Sequence, residues 1–302
     1  MMEHLTCSTA KWLDKPQDAR IRAILVNKWV PYTLAQQVLK FLAFLQTHPS
    51  SSRMPNLMLV EDTGNGKTHL LEHYVKTCYS VHQQSTAGEF KQHQPVLYVC
   101  APHIPDVQLF YSFILEKLHV PVALGARTKM RLQLVGDLLH DVGVRMLIVD
   151  EIQHVLAGSP MKQREVLNML KLLANTVCIP LVFAGIRTAN HVIQHDDQLK
   201  SRFERIELPA WSMDEEYLRL LDSLEQLLPL RFPSHLSEPQ LASKLLALSK
   251  NTIGGLVNVL KRLAVNAVES NEERISLKQI KRLESTPMAF WISVDYELRV
   301  NS

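Results

Sequence analysis

One stretch restricts the fold of this chain more than any other: NLMLVEDTGNGKTHLLEHYVK, residues 56–76. An apolar run, Asn56–Val60, leads without pause into a loop ending in Gly64, Asn65, Gly66, Lys67 and Thr68, and that loop opens a segment with helical spacing. A strand that turns straight into a helix aims successive backbone N–H groups, and the positive end of the helix, at one centre. Such a centre suits a phosphate. Gly66 lets the backbone come close, Lys67 is placed to reach the outer phosphates, and Thr68 to ligate Mg²⁺. A chance GKT in an ordinary turn would lack this strand–loop–helix setting. One position departs from G-x-x-x-x-G-K-[ST]: Glu61 stands where the first glycine belongs. Glutamate takes away backbone freedom and brings a carboxylate near the phosphates. ATP with Mg²⁺ is therefore the expected ligand, bound by Gly64, Asn65, Gly66, Lys67 and Thr68, with affinity or turnover weakened by Glu61.

The alternation continues downstream. Strands are expected at Val96–Cys100, Arg145–Asp150, Pro180–Ala184 and Arg205–Leu208. Helices are expected at Lys67–Ser80, Asp106–Leu118, Thr128–His140 and Met161–Asn175, with 81–94 a polar loop. Several strands are apolar throughout, as strands covered on both faces should be. The fold class is α/β, with a mainly parallel five-stranded sheet. After Trp211 the strand signal stops, and four helical patterns make a small all-helical domain. Upstream, helical spacing from Arg20 to Leu45 is broken at Pro31. The expected organisation is an N-terminal helical segment (1–50), a nucleotide-binding core (51–211), the helical domain (212–285) and a tail (286–302).

The third strand, RMLIVDE, ends in two acids. At the carboxyl edge of a parallel sheet that is where ligands bind. Asp150 is positioned to hold Mg²⁺ and Glu151 to polarise an attacking water, which makes the expected reaction ATP hydrolysis. Gln153 and His154, next along, read as surface residues at a helix start. Four isolated cysteines form no CxxC pair, and Cys100 and Cys178 read as small buried hydrophobes. No disulfide or zinc site is expected. The opening residues lack a long apolar run and no stretch is long enough to cross a bilayer, so a cytoplasmic protein is expected. A net charge of +3 permits nucleic-acid binding without arguing for it.

Taken together, HPSSSRMPNLMLVEDTGNGKT, RMLIVDE, IPLVFAGI and DDQLKSRFERIELPAW resemble the TniB family, AAA+ regulators encoded beside transposases and akin to TnsC and IstB proteins. The resemblance implies an AAA+ core with the helical domain as its lid. It implies an ATP-dependent homo-oligomer, a ring or helical filament, on double-stranded target DNA. Such an oligomer recruits a TniA/TnsB-like transposase and works with a TniQ-type adaptor. In that plan a polar residue after the fourth strand senses the terminal phosphate, here Arg187 or Thr188. An arginine before the last strand reaches a neighbour's ATP site, here Arg202 with Arg205 as the alternative. The helix after TIGG shows no clear second sensor. Arg127, Lys129 and Arg131 match the region where relatives face DNA, with His103 a lesser candidate. Each has the alternative of an ordinary solvated side chain. Two other functions share these motifs: a helicase loader or replication initiator, and a nucleotide-dependent scaffold without turnover, which Glu61 brings in.

Overall fold

The computed structural model describes residues 4–51, 53–61, 64–85, 94–120, 128–191 and 200–285. They divide into two compact units, one made of residues 33–209 and the other of 1–32 with 210–302.

In the first unit five runs become strands: β1 (Asn56–Glu61), β2 (Val96–Cys100), β3 (Met146–Asp150), β4 (Leu181–Ile186) and β5 (Phe203–Leu208). They pair in the order β2-β3-β4-β1-β5, and every pairing is parallel. All six residues of β1 and all five of β3 are buried, as inner strands covered on both faces must be. β5 lies on the edge and keeps an exposed, charged pattern. Among the described residues these helices accompany the sheet: α3 (Thr33–Thr47), α4 (Lys67–Ser85), α5 (Val107–Lys117), α6 (Thr128–Asp141) and α7 (Pro160–Val177). Phe110, Tyr111, Ile114, Val135, Leu139, Leu170 and Leu173 pack into one core with Leu97, Val99, Leu147, Val149 and Phe183 of the strands. Local chemistry sets the helix starts. Asp106 accepts from the Leu109 N–H at the head of α5, and Ser159 precedes Pro160 at the head of α7.

Most boundaries in this unit shift by one or two residues from the sequence expectations, and the two informative differences have a plain cause. α4 runs on to Ser85, since nothing in VHQQS breaks a helix. β5 starts at Phe203, two residues early, because that residue pairs with Asn56 and its ring stacks on Phe183 at 4.6 Å. Neither cysteine read as a buried hydrophobe is buried: Cys100 is exposed at the last position of β2, and Cys178 is half-buried just past the end of α7.

The second unit is helical: α1 (Cys7–Ala10), α2 (Gln17–Leu25), α8 (Glu215–Glu225), α9 (Pro239–Leu248), α10 (Ile253–Glu269) and α11 (Leu277–Ser285). Ile24 of α2 joins Leu221, Leu245, Leu256, Leu263 and Ile280 in its core. Arg20 of α2 is buried and gives two hydrogen bonds to the Glu273 carboxylate, at 2.8 and 2.5 Å, and one to the Pro229 carbonyl at 2.8 Å. Residues 1–50 are thus not one segment. Those up to Tyr32 pack with the helical unit, while α3 belongs with the sheet, where Gln46 accepts from the Tyr74 hydroxyl of α4. Pro31 marks the change. No described helix is long and apolar enough to cross a membrane.

Candidate functional site

Parallel strands bring all their carboxyl ends to one edge. There β1 ends at Glu61, β3 at Asp150 and β4 at Ile186, with Glu61 paired to Ile186 in register. Between β1 and α4 the chain turns through Gly64 (φ 90°) and Gly66 (φ 97°), left-handed values that a side chain resists. The buried Asn65 side chain anchors the loop to the end of β5, donating to the carbonyls of Leu208, at 3.1 Å, and Pro209. Asn65 thereby ties the head of α4 to the sheet edge.

Lys67 is 1% exposed, a burial that a lysine tolerates only when paired. Its ammonium donates to Asp150 Oδ1 at 2.5 Å and to Glu151 Oε1 at 3.2 Å. Burial works against the charge, but Asp150, Glu151 and Glu61 together hold its pKa above the ordinary value. For Asp150, burial would raise the pKa; Lys67 overrides it and keeps the carboxylate below its usual range. Asp150 also accepts from the Thr68 hydroxyl (2.9 Å), the Tyr98 hydroxyl (2.6 Å) and the Glu151 N–H (2.8 Å). Glu151 itself takes a left-handed backbone (φ 55°, ψ 36°), which turns the chain out of β3 into a 3₁₀ turn, Ile152–Ala157. Lys67, Thr68, Asp150 and Glu151 thus meet as one cluster, with Gly64, Asn65 and Gly66 forming the adjoining loop.

Three contacts were not anticipated from sequence. Glu61 does not lie loosely near the loop. Its side chain is buried and accepts from the Lys67 N–H at 2.7 Å, the first backbone donor of α4. Burial raises its carboxyl to about 7, the Lys67 N–H and ammonium pulling the other way. Tyr98 donates to Asp150, a link set by the register that pairs Cys100 with Asp150. Gln153 is no free surface residue: it donates to the Glu151 carboxylate and accepts from the Ile186 N–H. Only the alternation of β2 could have hinted at Tyr98.

Other candidates lie elsewhere. Arg202 precedes β5, at the amino end of the sheet, where its carbonyl accepts from the Asn56 N–H at 3.0 Å and its guanidinium donates to Asn175. The six residues of β5 separate it from the carboxyl edge, roughly 17–20 Å. Arg205 is exposed and pairs with Glu207 at 2.8 Å. Arg187, past β4, pairs with the same Glu207 at 3.1 Å, and Thr188 is exposed. His103 is exposed, its ring 4.4 Å from that of His154. Lys129 and Arg131 fall in the first turn of α6, and Arg127 lies outside the described residues.

The donor set fits Mg²⁺ and a nucleoside triphosphate. The Thr68 hydroxyl and Asp150 carboxylate, 2.9 Å apart, are hard oxygen donors, and an ammonium and a helix N-terminus lie beside them. Glu61, like Asp150 and Glu151, brings a carboxyl group to this site, and its contact with the Lys67 N–H occupies a donor that a phosphate would use.

Comparison with solved structures places the fold. The Aeropyrum pernix ORC2 protein, solved as ADPNP–ADP complexes, aligns with a TM-score of 0.62 at 20% identity, over 86% of this chain and 70% of that one. The Aeropyrum pernix ORC1 protein in complex with DNA aligns with a TM-score of 0.61 at 16% identity, over 88% and 68%. Domain III of the Thermotoga maritima replication initiation protein DnaA gives 0.50 at 16% identity, over 86% and 92%. Comparison with curated protein sequences gives no match. Residues 20–213 match the family described as bacterial TniB protein, which is well over half of the chain. With its parallel sheet, phosphate-type loop and helical unit, this chain belongs to the TniB family and has the AAA+ ATPase fold.

Proposed function

We propose that this protein is an ATP-dependent, DNA-binding regulator of transposition. The observation that carries the reading is the cluster of Lys67, Thr68, Asp150 and Glu151 at the carboxyl edge of the sheet, in a chain of the TniB family. Lys67 and the N–H groups at the head of α4 hold the phosphates. Thr68 and Asp150 hold Mg²⁺, which draws charge from the phosphates when bound. Glu151 orients and polarises the attacking water. Before a triphosphate is seated, the Glu61 carboxylate must leave the Lys67 N–H, which makes the site selective for ligands that outbid it. Arg202, at the far edge of the sheet, serves a neighbouring copy and not its own site. In the assembled oligomer Arg127, Lys129 and Arg131 are the residues that meet the phosphates of double-stranded DNA, with His103 a lesser candidate. The assembly marks a target and recruits a TniA/TnsB-like transposase, with a TniQ-type adaptor.

A second reading has a specific observation behind it. The buried contact of Glu61 with the Lys67 N–H favours a nucleotide-responsive scaffold with little turnover. Phosphate release, measured for the wild type and Glu151→Gln with and without duplex DNA, separates the two. The regulator reading expects DNA-stimulated release that Glu151→Gln reduces by about a hundredfold or more while ATP and DNA binding persist. Wild-type release at the level of the variant, with nucleotide-dependent DNA binding intact, establishes the scaffold.

A further inference from the structure

Glu151 follows β3 in a left-handed backbone conformation that persists where the surroundings over-determine it, and its carboxylate is held from two sides. One oxygen accepts from Lys67 at 3.2 Å. The other accepts from the Gln153 carboxamide, whose own oxygen accepts from the Ile186 N–H at 3.3 Å. Gln153 is seated by its neighbours: Ile152 and Val155 of the same 3₁₀ turn are fully buried, and the His154 ring donates to the Ala101 carbonyl at 3.2 Å. β4 leaves room for it. A Cβ on Gly185 would collide with the Gln153 side-chain oxygen and with the Ala189 Cβ. A carboxamide is the group this position needs, because it donates to a carboxylate and accepts from an amide at once.

We propose that Gln153 is the positioning residue for Glu151, its carboxamide tying the glutamate's carboxylate to the backbone at the carboxyl end of β4. The proposal rests on the reading that Glu151 polarises the attacking water. The link makes no use of the side chain at 186, so an isoleucine can stand at the end of β4 and that strand still reports to Glu151. The end of β4 borders the phosphate loop, with Ile186 paired to Glu61. Movement of that strand end on ligand binding therefore reaches the water-polarising group through one side chain.

The test compares three variants under saturating ATP, Mg²⁺ and duplex DNA. Gln153→Met keeps length and packing but neither hydrogen bond. Gln153→Glu keeps the acceptor for Ile186 and replaces the donor with a carboxylate facing Glu151. Gly185→Ala pushes on the carboxamide from the other side. Loss of positioning lowers kcat by about ten- to a hundredfold. KM and ATP affinity should stay at wild-type values in Gln153→Met while kcat falls, a split that a merely structural role would not produce. Gln153→Met combined with Gly185→Ala should lose no more than the worse single variant, since both break one link. Wild-type kcat in Gln153→Met while Glu151→Gln is inactive overturns the proposal and leaves the role of Glu151 standing. Fully additive losses in the double variant also overturn it. Wild-type turnover in Glu151→Gln instead removes the reading on which the proposal rests.

Discussion

Replacing Glu61 with glutamine tests the most unusual feature of the site. Burial raises this carboxyl from 4.5 to about 7 in the folded protein. Between those pH values the native state holds a proton that the unfolded chain has released, so stability falls as pH rises through that window and is lowest above it. At ~1.4 kcal/mol per tenfold change in acidity, the loss is about 3 kcal/mol as an upper bound. Glutamine cannot ionise and keeps an oxygen for the Lys67 N–H. Its amide brings two new donors into a buried place, which returns about 1–2 kcal/mol of the gain. The nucleotide-free Glu61→Gln protein should therefore be more stable than wild type at pH 8 by about 1–2 kcal/mol, and equal to it or weaker at pH 5. Thermal or urea unfolding across pH 5–8 reads this directly. A stability difference that stays constant over the range, or a wild type that is the more stable at pH 8, refutes the argument. Glu61→Gly also removes the competitor for the Lys67 N–H, and calorimetry should show at least tenfold tighter ATP binding.

Two further outcomes follow from the two units. Arg20→Ala leaves the Glu273 carboxylate buried without its main partner and should cost about 3–5 kcal/mol in urea unfolding; burial pushes the Glu273 carboxyl up but Arg20 holds it below the ordinary value, so the wild-type advantage should be full above pH 4.5 and shrink as the solution becomes more acid. Arg202→Ala should keep ATP affinity and lose DNA-stimulated turnover together with cooperative assembly, as measured by phosphate release and light scattering.

What could be read from sequence was mostly what lies close along the chain. The β1–loop–α4 run and the two acids at the close of β3, Asp150 and the following Glu151, each declare themselves within a few residues, and fully buried strands carry an unbroken apolar signal. The site residues that escaped notice depend on partners brought in by folding. Gln153 sits three residues past Asp150, yet its role appears only when β4 offers the Ile186 amide and the open face of Gly185. Glu61 could be seen to be out of place, but not that it would cap α4, because nothing in a six-residue spacing says which way a side chain turns. The division at Tyr32 was illegible for the same reason: Arg20 finds Glu273 across 253 residues. Arg202 was singled out only by its motif, and its place at the amino end of the sheet needed the parallel register of β1 with β5.

The proposed function requires that nucleotide binding at Lys67 organise copies of this chain on duplex DNA through phosphate contacts. Fluorescence anisotropy on a random-sequence duplex, at several salt concentrations and with or without ATP, tests it most directly. Binding is expected only with ATP, with little preference among sequences and a log–log salt slope of about −0.9 for each phosphate contact. No binding is expected by Lys67→Ala, and weaker binding with a shallower slope in Lys129→Ala and Arg131→Ala, repeated over every subunit of the assembly. Tight binding without ATP, binding that ignores salt, or a Lys67→Ala protein that binds like wild type would contradict it.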